Sequence, residues 1–335
     1  MKKTKLSLAV AGLMLAGAIV VTSCKKSTTT TTPTQDSSTT SSTDNSAAQQ
    51  NAHDITNFGS EGVDNGSLTT YKLANGSPSV FSGVSGSVSV TVTGSKQILV
   101  TFVGFTGYDG HYRNGSIQYD WSGSLSVPTY TAQYYRDSGM VLNITTPNIG
   151  GTVYTVDGNT VHINTKTITN KGRINGQLTW TDNSDITITR TATNGGGTIL
   201  WNGQWTLALL NTGAYTYCDP NGGTAQTTTY PHLFNGYGGP VTNYIDWTKA
   251  LVSVNGTFGG TASDGETYTG NISTPLIANF NCAYGTYGLS KYLYVSGVLN
   301  FTPTGKATRT INYGNGACDL TYVVSIGSFS LTITI

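Results

Sequence analysis

Ser87-Val88-Ser89-Val90-Thr91-Val92-Thr93 alternates without a break. A period of two sends successive side chains to opposite faces of a strand, so one face of this segment is apolar and the other carries only hydroxyls. The same alternation returns in Ser116-Ile117-Gln118-Tyr119-Asp120-Trp121, in Asp185-Ile186-Thr187-Ile188-Thr189 and in Leu331-Thr332-Ile333-Thr334-Ile335. The outward positions are mostly Thr and Ser, which suit an exposed pleated surface. Between such runs stand Asp109-Gly110, Asp157-Gly158, Asn221-Gly222, Asp264-Gly265 and Asn315-Gly316, which are tight-turn signals. Apolar residues nowhere recur at i, i+3, i+4 and i+7 over a helix-length window outside the N-terminus. The expected fold is therefore all-β and antiparallel, sandwich-like, built as one elongated unit or two tandem ones, with essentially no helix beyond the leader.

The leader is residues 1–23. Lys2, Lys3 and Lys5 precede an apolar run from Leu6 to Val21, which at 16 residues is shorter than the roughly 20 needed to cross a bilayer as a helix. Val21-Thr22-Ser23-Cys24 closes it, the layout of a secretory signal peptide with a cysteine at the cleavage point. Cys24 is the expected lipidation site, which makes the membrane the first expected partner, since several acyl chains anchor stably where one does not. Residues 24–52 follow as a Thr/Ser-rich segment with almost no apolar mass, expected to remain a disordered stalk. Residues 53–195 and 196–335 are read as an N-terminal and a C-terminal β unit.

Composition narrows the function classes. Of 17 basic residues, five precede residue 27; from residue 51 onward 12 basic and 14 acidic side chains leave 12 − 14 = −2. No basic patch remains that could release counterions from a nucleic acid, so a nucleic-acid partner is not expected. Charged residues are 10% of the chain, well below the usual quarter, while Gly reaches 42 and Tyr 20. With Cys24 assigned to lipid, Cys218, Cys282 and Cys318 remain. In an oxidising compartment this odd number implies one bridge and one free thiol. Cys282 and Cys318 lie in one C-terminal segment flanked by turn residues and are the expected disulfide; Cys218 is the expected thiol.

One internal echo stands out: Thr101-Phe102-x-Gly104 leads to Asp109-Gly110-x4-Gly115-x-Ile117, and Thr257-Phe258-x-Gly260 leads to Asp264-Gly265-x4-Gly270-x-Ile272. A tandem duplication of a domain and convergent hairpin chemistry both account for it. The Ser23-Cys24-Lys25-Lys26 junction, the Thr/Ser stalk and the all-β body resemble envelope lipoproteins of Bacteroidetes. Tyr154-x-Val156-Asp157-Gly158-Asn159-x-Val161, the two Asp-Gly-x4-Gly-x-Ile blocks and Ile311-x-Tyr313-Gly314-x-Gly316-x-Cys318-Asp319 are similar to a set of such lipoproteins without assigned activity. The resemblance implies an outer-membrane location and no substrate. Acidic residues that mark surface export in that group are missing after Cys24, which leaves the membrane side open.

A search for chemistry finds no Gly-x-Ser-x-Gly elbow, no His-Glu-x-x-His and no P-loop, and no cofactor is expected. The two glutamates, Glu61 and Glu266, and aspartates set mostly beside Gly or Asn offer no obvious carboxylate pair for glycoside hydrolysis. A secreted hydrolase is therefore the weakest reading, and no catalytic residue is assigned. Asp182-Asn183-Ser184-Asp185 offers clustered oxygens for calcium, or equally a solvated hairpin turn. Trp201 and Trp205, two strand steps apart, are expected in the core with a bulge at the intervening Gly203. In Tyr119-Asp120-Trp121 the rings share one face and the acid points to the other. Tyr215, Tyr217, Tyr230, Tyr237, Tyr244 and Trp247, interleaved with Gly, Pro and Asn, could plug the ends of the core or form stacking platforms for a glycan. The expected function is an anchored, non-catalytic structural or adhesive protein of the bacterial envelope. The alternative is a glycan-binding module using those rings; another envelope protein is the remaining candidate partner.

Overall fold

The computed structural model describes residues 40–64, 83–94, 96–107, 110–123, 139–210, 251–279, 282, 293–319 and 321–334. The strands are β1 (Gly83–Gly94), β2 (Gln97–Gly107), β3 (Tyr112–Asp120), β4 (Val141–Thr145), β5 (Thr155–Val156), β6 (Asn159–Ile174), β7 (Gln177–Thr189), β8 (Thr198–Leu209), β9 (Leu251–Thr261), β10 (Thr267–Asn279), β11 (Leu293–Pro303), β12 (Arg309–Asn315), β13 (Thr321–Ile326) and β14 (Phe329–Thr334). They form one 14-stranded antiparallel sheet in which each strand pairs with the next in sequence; only the two-residue β5 steps off this path, bridging β3 and β6. The all-β antiparallel class is thus present, in one continuous sheet. No seam interrupts the sheet near residue 195: β7 and β8 pair continuously from Thr179↔Ala208 to Thr189↔Thr198.

The expectation of no helix beyond the leader, and of a disordered stalk to residue 52, is corrected by α1, a 25-residue helix at Thr40–Asp64. Its buried stripe runs Ser41, Asp44 with its neighbour Asn45, Ala48, Ala52, Ile55 and Phe58, each turn contributing at a step of three or four. Five of those seven positions are polar or small, so an apolar-period reading does not register them. The sheet supplies partners in place of hydrophobic area. The indole of Trp201 donates to Asn45 Oδ1 at 3.0 Å, the Ser263 amide donates to Asp44 Oδ2 at 2.7 Å, and Tyr119 Oη donates to the Ile55 carbonyl at 2.6 Å. Arg190 and Arg113 form ion pairs with Asp44 and Asp54.

These contacts reach strands from both halves of the sheet. Phe58 packs edge-on to Phe102 of β2, while Ser42, Asn45 and Gln49 face Leu299, Ile311 and Val324 of β11, β12 and β13 across a small gap. One sheet face therefore curls around the helix and carries the core, and the other faces outward.

On the inner face aromatic rings run across strands: Trp201 stacks on Trp205, Trp205 on Phe258, and Phe258 on Phe301, with centroids 6.5, 5.7 and 6.3 Å apart. Glycines make room for them. No bulge occurs at Gly203, contrary to expectation; β8 is in regular register there, and a Cβ would lie 2.5 Å from Trp201 and 2.7 Å from Trp205, so the glycine lets both rings fold over the backbone. In the echoed blocks the register is the same, Phe102↔Gly115 and Phe258↔Gly270. Their surroundings differ: Gly270 lies under the Phe258 ring, whereas Gly115 abuts the Val153 carbonyl.

Candidate functional site

Three arrangements carry chemistry. The first is a cleft of about 120 Å³ between α1 and the sheet, with Val156, Val161, Ile188 and Ile199 among its lining residues. At its edge His111 Nδ1 lies 2.6 Å from Asp157 Oδ2, and Asp157 Oδ1 accepts the Tyr112 amide at 2.8 Å. Asp157 adopts φ 51 in the tight β5–β6 turn, which aims its carboxylate back at β3. Gln50 of α1 lies 3.1 Å from His111 Nε2 through its amide nitrogen. An amide donor there assigns the ring proton to Nδ1, donated to Asp157. A nucleophile activated by this dyad would need Nε2, and Gln50 already occupies it. The pair therefore fastens the helix to the sheet.

The second arrangement is a charge cluster inside the sheet. Inward residues of β6 begin odd-numbered, Val161 and Ile163, but a register shift between Ile163 and Thr165 inverts the parity and turns Lys166 inward. Its ammonium donates to Asp182 Oδ1 and Oδ2 at 2.9 and 2.7 Å and to Ser184 Oγ at 2.8 Å, and Ser184 donates to Asp182 at 2.7 Å. Asp182-Asn183-Ser184-Asp185 is thus the middle of β7, neither hairpin turn nor calcium loop. Alternation sends Asp182 and Ser184 inward and Asn183 and Asp185 outward, so their oxygens cannot converge on one cation. His53 of α1 faces this cluster. Burial, with Lys166 adding and Asp182 partly opposing, pushes its imidazole down to about 4.

The third is the outer face. Following the strand register from β2 to β14, skipping β5, one side chain per strand forms a continuous row: Gln97, Asp120, Asn143, Thr167, Asn183, Gln204, Thr257, Asn271, Asn300, Thr310, Ser325, Ser330. None of them is buried, and all but one are uncharged amides or hydroxyls. Neighbours bond along the row: Gln97 donates to Asp120 at 2.6 Å, Thr167 to Asn143 at 3.0 Å and Thr310 to Asn300 at 3.1 Å. At Asp120 partial burial pushes the carboxyl up, but hydrogen bonds from Ser122 and Gln97 outweigh it and hold the group below its ordinary range. Adjacent outward rows carry Thr181, Thr206 and Asn255 on one side and Asp185, Asn202 and Thr269 on the other. A lipid-facing barrel strand presents the reverse, an apolar band.

Tyr119 and Trp121 are buried with Asp120 on the opposite face, as expected. Cys282 and Cys318 are disulfide-bonded, their Cα atoms 5.5 Å apart. Cys24, Cys218 and the six ring residues Tyr215, Tyr217, Tyr230, Tyr237, Tyr244 and Trp247 lie outside the described residues. Among the described residues no group of three His, Cys, Asp or Glu side chains is placed to hold a metal ion. Sequence reasoning missed Lys166, His111 and Asp44. Asp157 carried a signal as part of a turn, and Asp182 and Ser184 as part of an oxygen-rich run. Comparison with protein families, with curated proteins and with solved structures finds no match.

Proposed function

We propose that this chain is a lipid-anchored, non-catalytic protein of the bacterial envelope with a structural or adhesive role, and that its contact surface is the outer face of the sheet. The row of amide and hydroxyl side chains running from β2 to β14 is the observation that supports this reading. Such a face offers donors and acceptors at the strand spacing of about 4.8 Å and almost no charge, so it suits an extended neutral partner rather than a nucleic acid or an anionic lipid surface. An uncharged glycan is the second reading, favoured by the same neutrality: two strand spacings, about 9.6 Å, come close to the length of a disaccharide unit in an extended β-1,4-linked chain.

The test has two parts. In cells supplied with labelled palmitate, the wild-type chain should take up label and sediment with membranes, and Cys24→Ser should do neither. A Cys24→Ser chain that stays with membranes like the wild type rejects the anchor. A glycan array probed with the wild type and with a Gln204→Ala/Thr257→Ala/Asn271→Ala variant examines the surface. Signal lost in the variant supports glycan contact along the row, and equal signal from both removes the row from it.

A further inference from the structure

From the open edge of the sheet we infer a self-association site: β1 pairs antiparallel with β1 of a second copy about a two-fold axis, joining two sheets into one. Among the described residues β1 hydrogen-bonds to β2 alone and β14 to β13 alone. The path β1-β2-β3-β4-β6 through β14 contains 13 strands, an odd number, and every neighbouring pair is antiparallel. The two edges therefore run in the same direction, and an antiparallel seam between β1 and β14 of one molecule is excluded by geometry. A copy of the same edge rotated by a two-fold has the required opposite direction.

The chemistry of β1 fits that partner. Gly83–Gly94 reads GVSGSVSVTVTG, with no charge and no proline, so it lacks the lysines and prolines that usually guard an edge. A two-fold contact sets residues against their own kind, which penalises any charged strand and leaves this one unpenalised. Ser87 to Val92 pairs in unbroken register with Val103–Ile98, which leaves its other side straight and open. The inner-face row Val88, Val90 and Val92, set opposite Phe102, Val100 and Ile98, is incompletely covered at this edge: Val92 is 59% exposed, since among the described residues no further strand flanks it. A second β1 would extend the sheet over this row. Twelve residues give an edge about 40 Å long, and a strip of that length about 10–15 Å deep buries about 400–600 Å² on each copy, near the lower bound for a specific interface. The pairing deepens the structural reading above and is independent of the anchor.

Sedimentation velocity of the full chain in mild detergent across a hundredfold dilution tests it. A dimer that dissociates on dilution is expected, and Ser89→Lys, which puts two ammonium groups on the paired edges, should weaken association at least tenfold. Thr332→Lys on β14 should leave it unchanged. A wild type that is monomeric throughout, or a dimer lost with Thr332→Lys and kept with Ser89→Lys, overturns the inference. Palmitate labelling of Cys24 is unaffected by any of these outcomes, so a failed dimer and a failed anchor are told apart.

Discussion

His53 and Lys166 show how single residues set the chemistry of this interior. A buried ammonium is tolerable only when paired and hydrogen-bonded, and Asp182 and Ser184 satisfy all three of its donors. Burial of His53 beside this cluster makes the fold sensitive to acid. Its folded imidazole titrates near 4, below the ordinary 6.5, so between those values the unfolded chain binds a proton that the folded chain refuses. Stability is therefore full above pH 6.5, declines as pH falls toward 4, and changes no further from this group below that. The full shift corresponds to about 3 kcal/mol, and partial exposure of the side chain makes the expected loss smaller, about 1–3 kcal/mol. Urea midpoints at pH 7.5 and pH 4.5 measure it: His53→Gln should narrow the difference between the two, and an unchanged difference would remove His53 as the cause.

At the scale of elements, the helix is the part that tertiary context created. Ile55 is fully buried, and Ile55→Ala should cost about 2–5 kcal/mol in chemical denaturation with an unchanged slope. A loss below about 1 kcal/mol would mean that α1 is not an integral part of the cooperative unit. The strands were legible because alternation is their own property: Ser87–Thr93 and Asp185–Thr189 need no partner to be read. The helix was not, because Asp44 and Asn45 look solvent-facing until Trp201, Ser263 and Arg190 are known to meet them. Lys166 was hidden for a different reason. The register shift beside it inverts inside and outside within one strand, and nothing in Ile163-Asn164-Thr165-Lys166 announces that. Gly203 was misread because a glycine between two tryptophans signals a bulge and a ring-packing site equally well. Of the candidate surface, the turn at Asp157-Gly158 and the outward Thr and Ser were visible, but the row is a property of register, which a linear sequence does not display.

At the scale of the molecule, the disulfide closes a loop of 36 residues between the ends of β10 and β12. In the chain-entropy model that restriction is worth about 4 kcal/mol. Reduction should lower the thermal midpoint and raise amide exchange first in β12, β13 and β14, leaving β6 to β8 protected; uniform loss of protection would show that the sheet opens as one unit instead. Apart from that bridge, the sheet is assembled from sequence neighbours, hairpin after hairpin, which is the quickest kind of β topology to form. The helix departs from this pattern. Asn45 meets Trp201 across 156 residues and Asp44 meets the Ser263 amide across 219. As the chain leaves the ribosome or a translocation pore, α1 emerges before every described strand, yet Asn45 and Asp44 lack these two partners until β8 and the β9–β10 turn exist. Asp44 and Asn45 must therefore wait through much of synthesis, and the first of the described elements to appear is among the last to find all its partners.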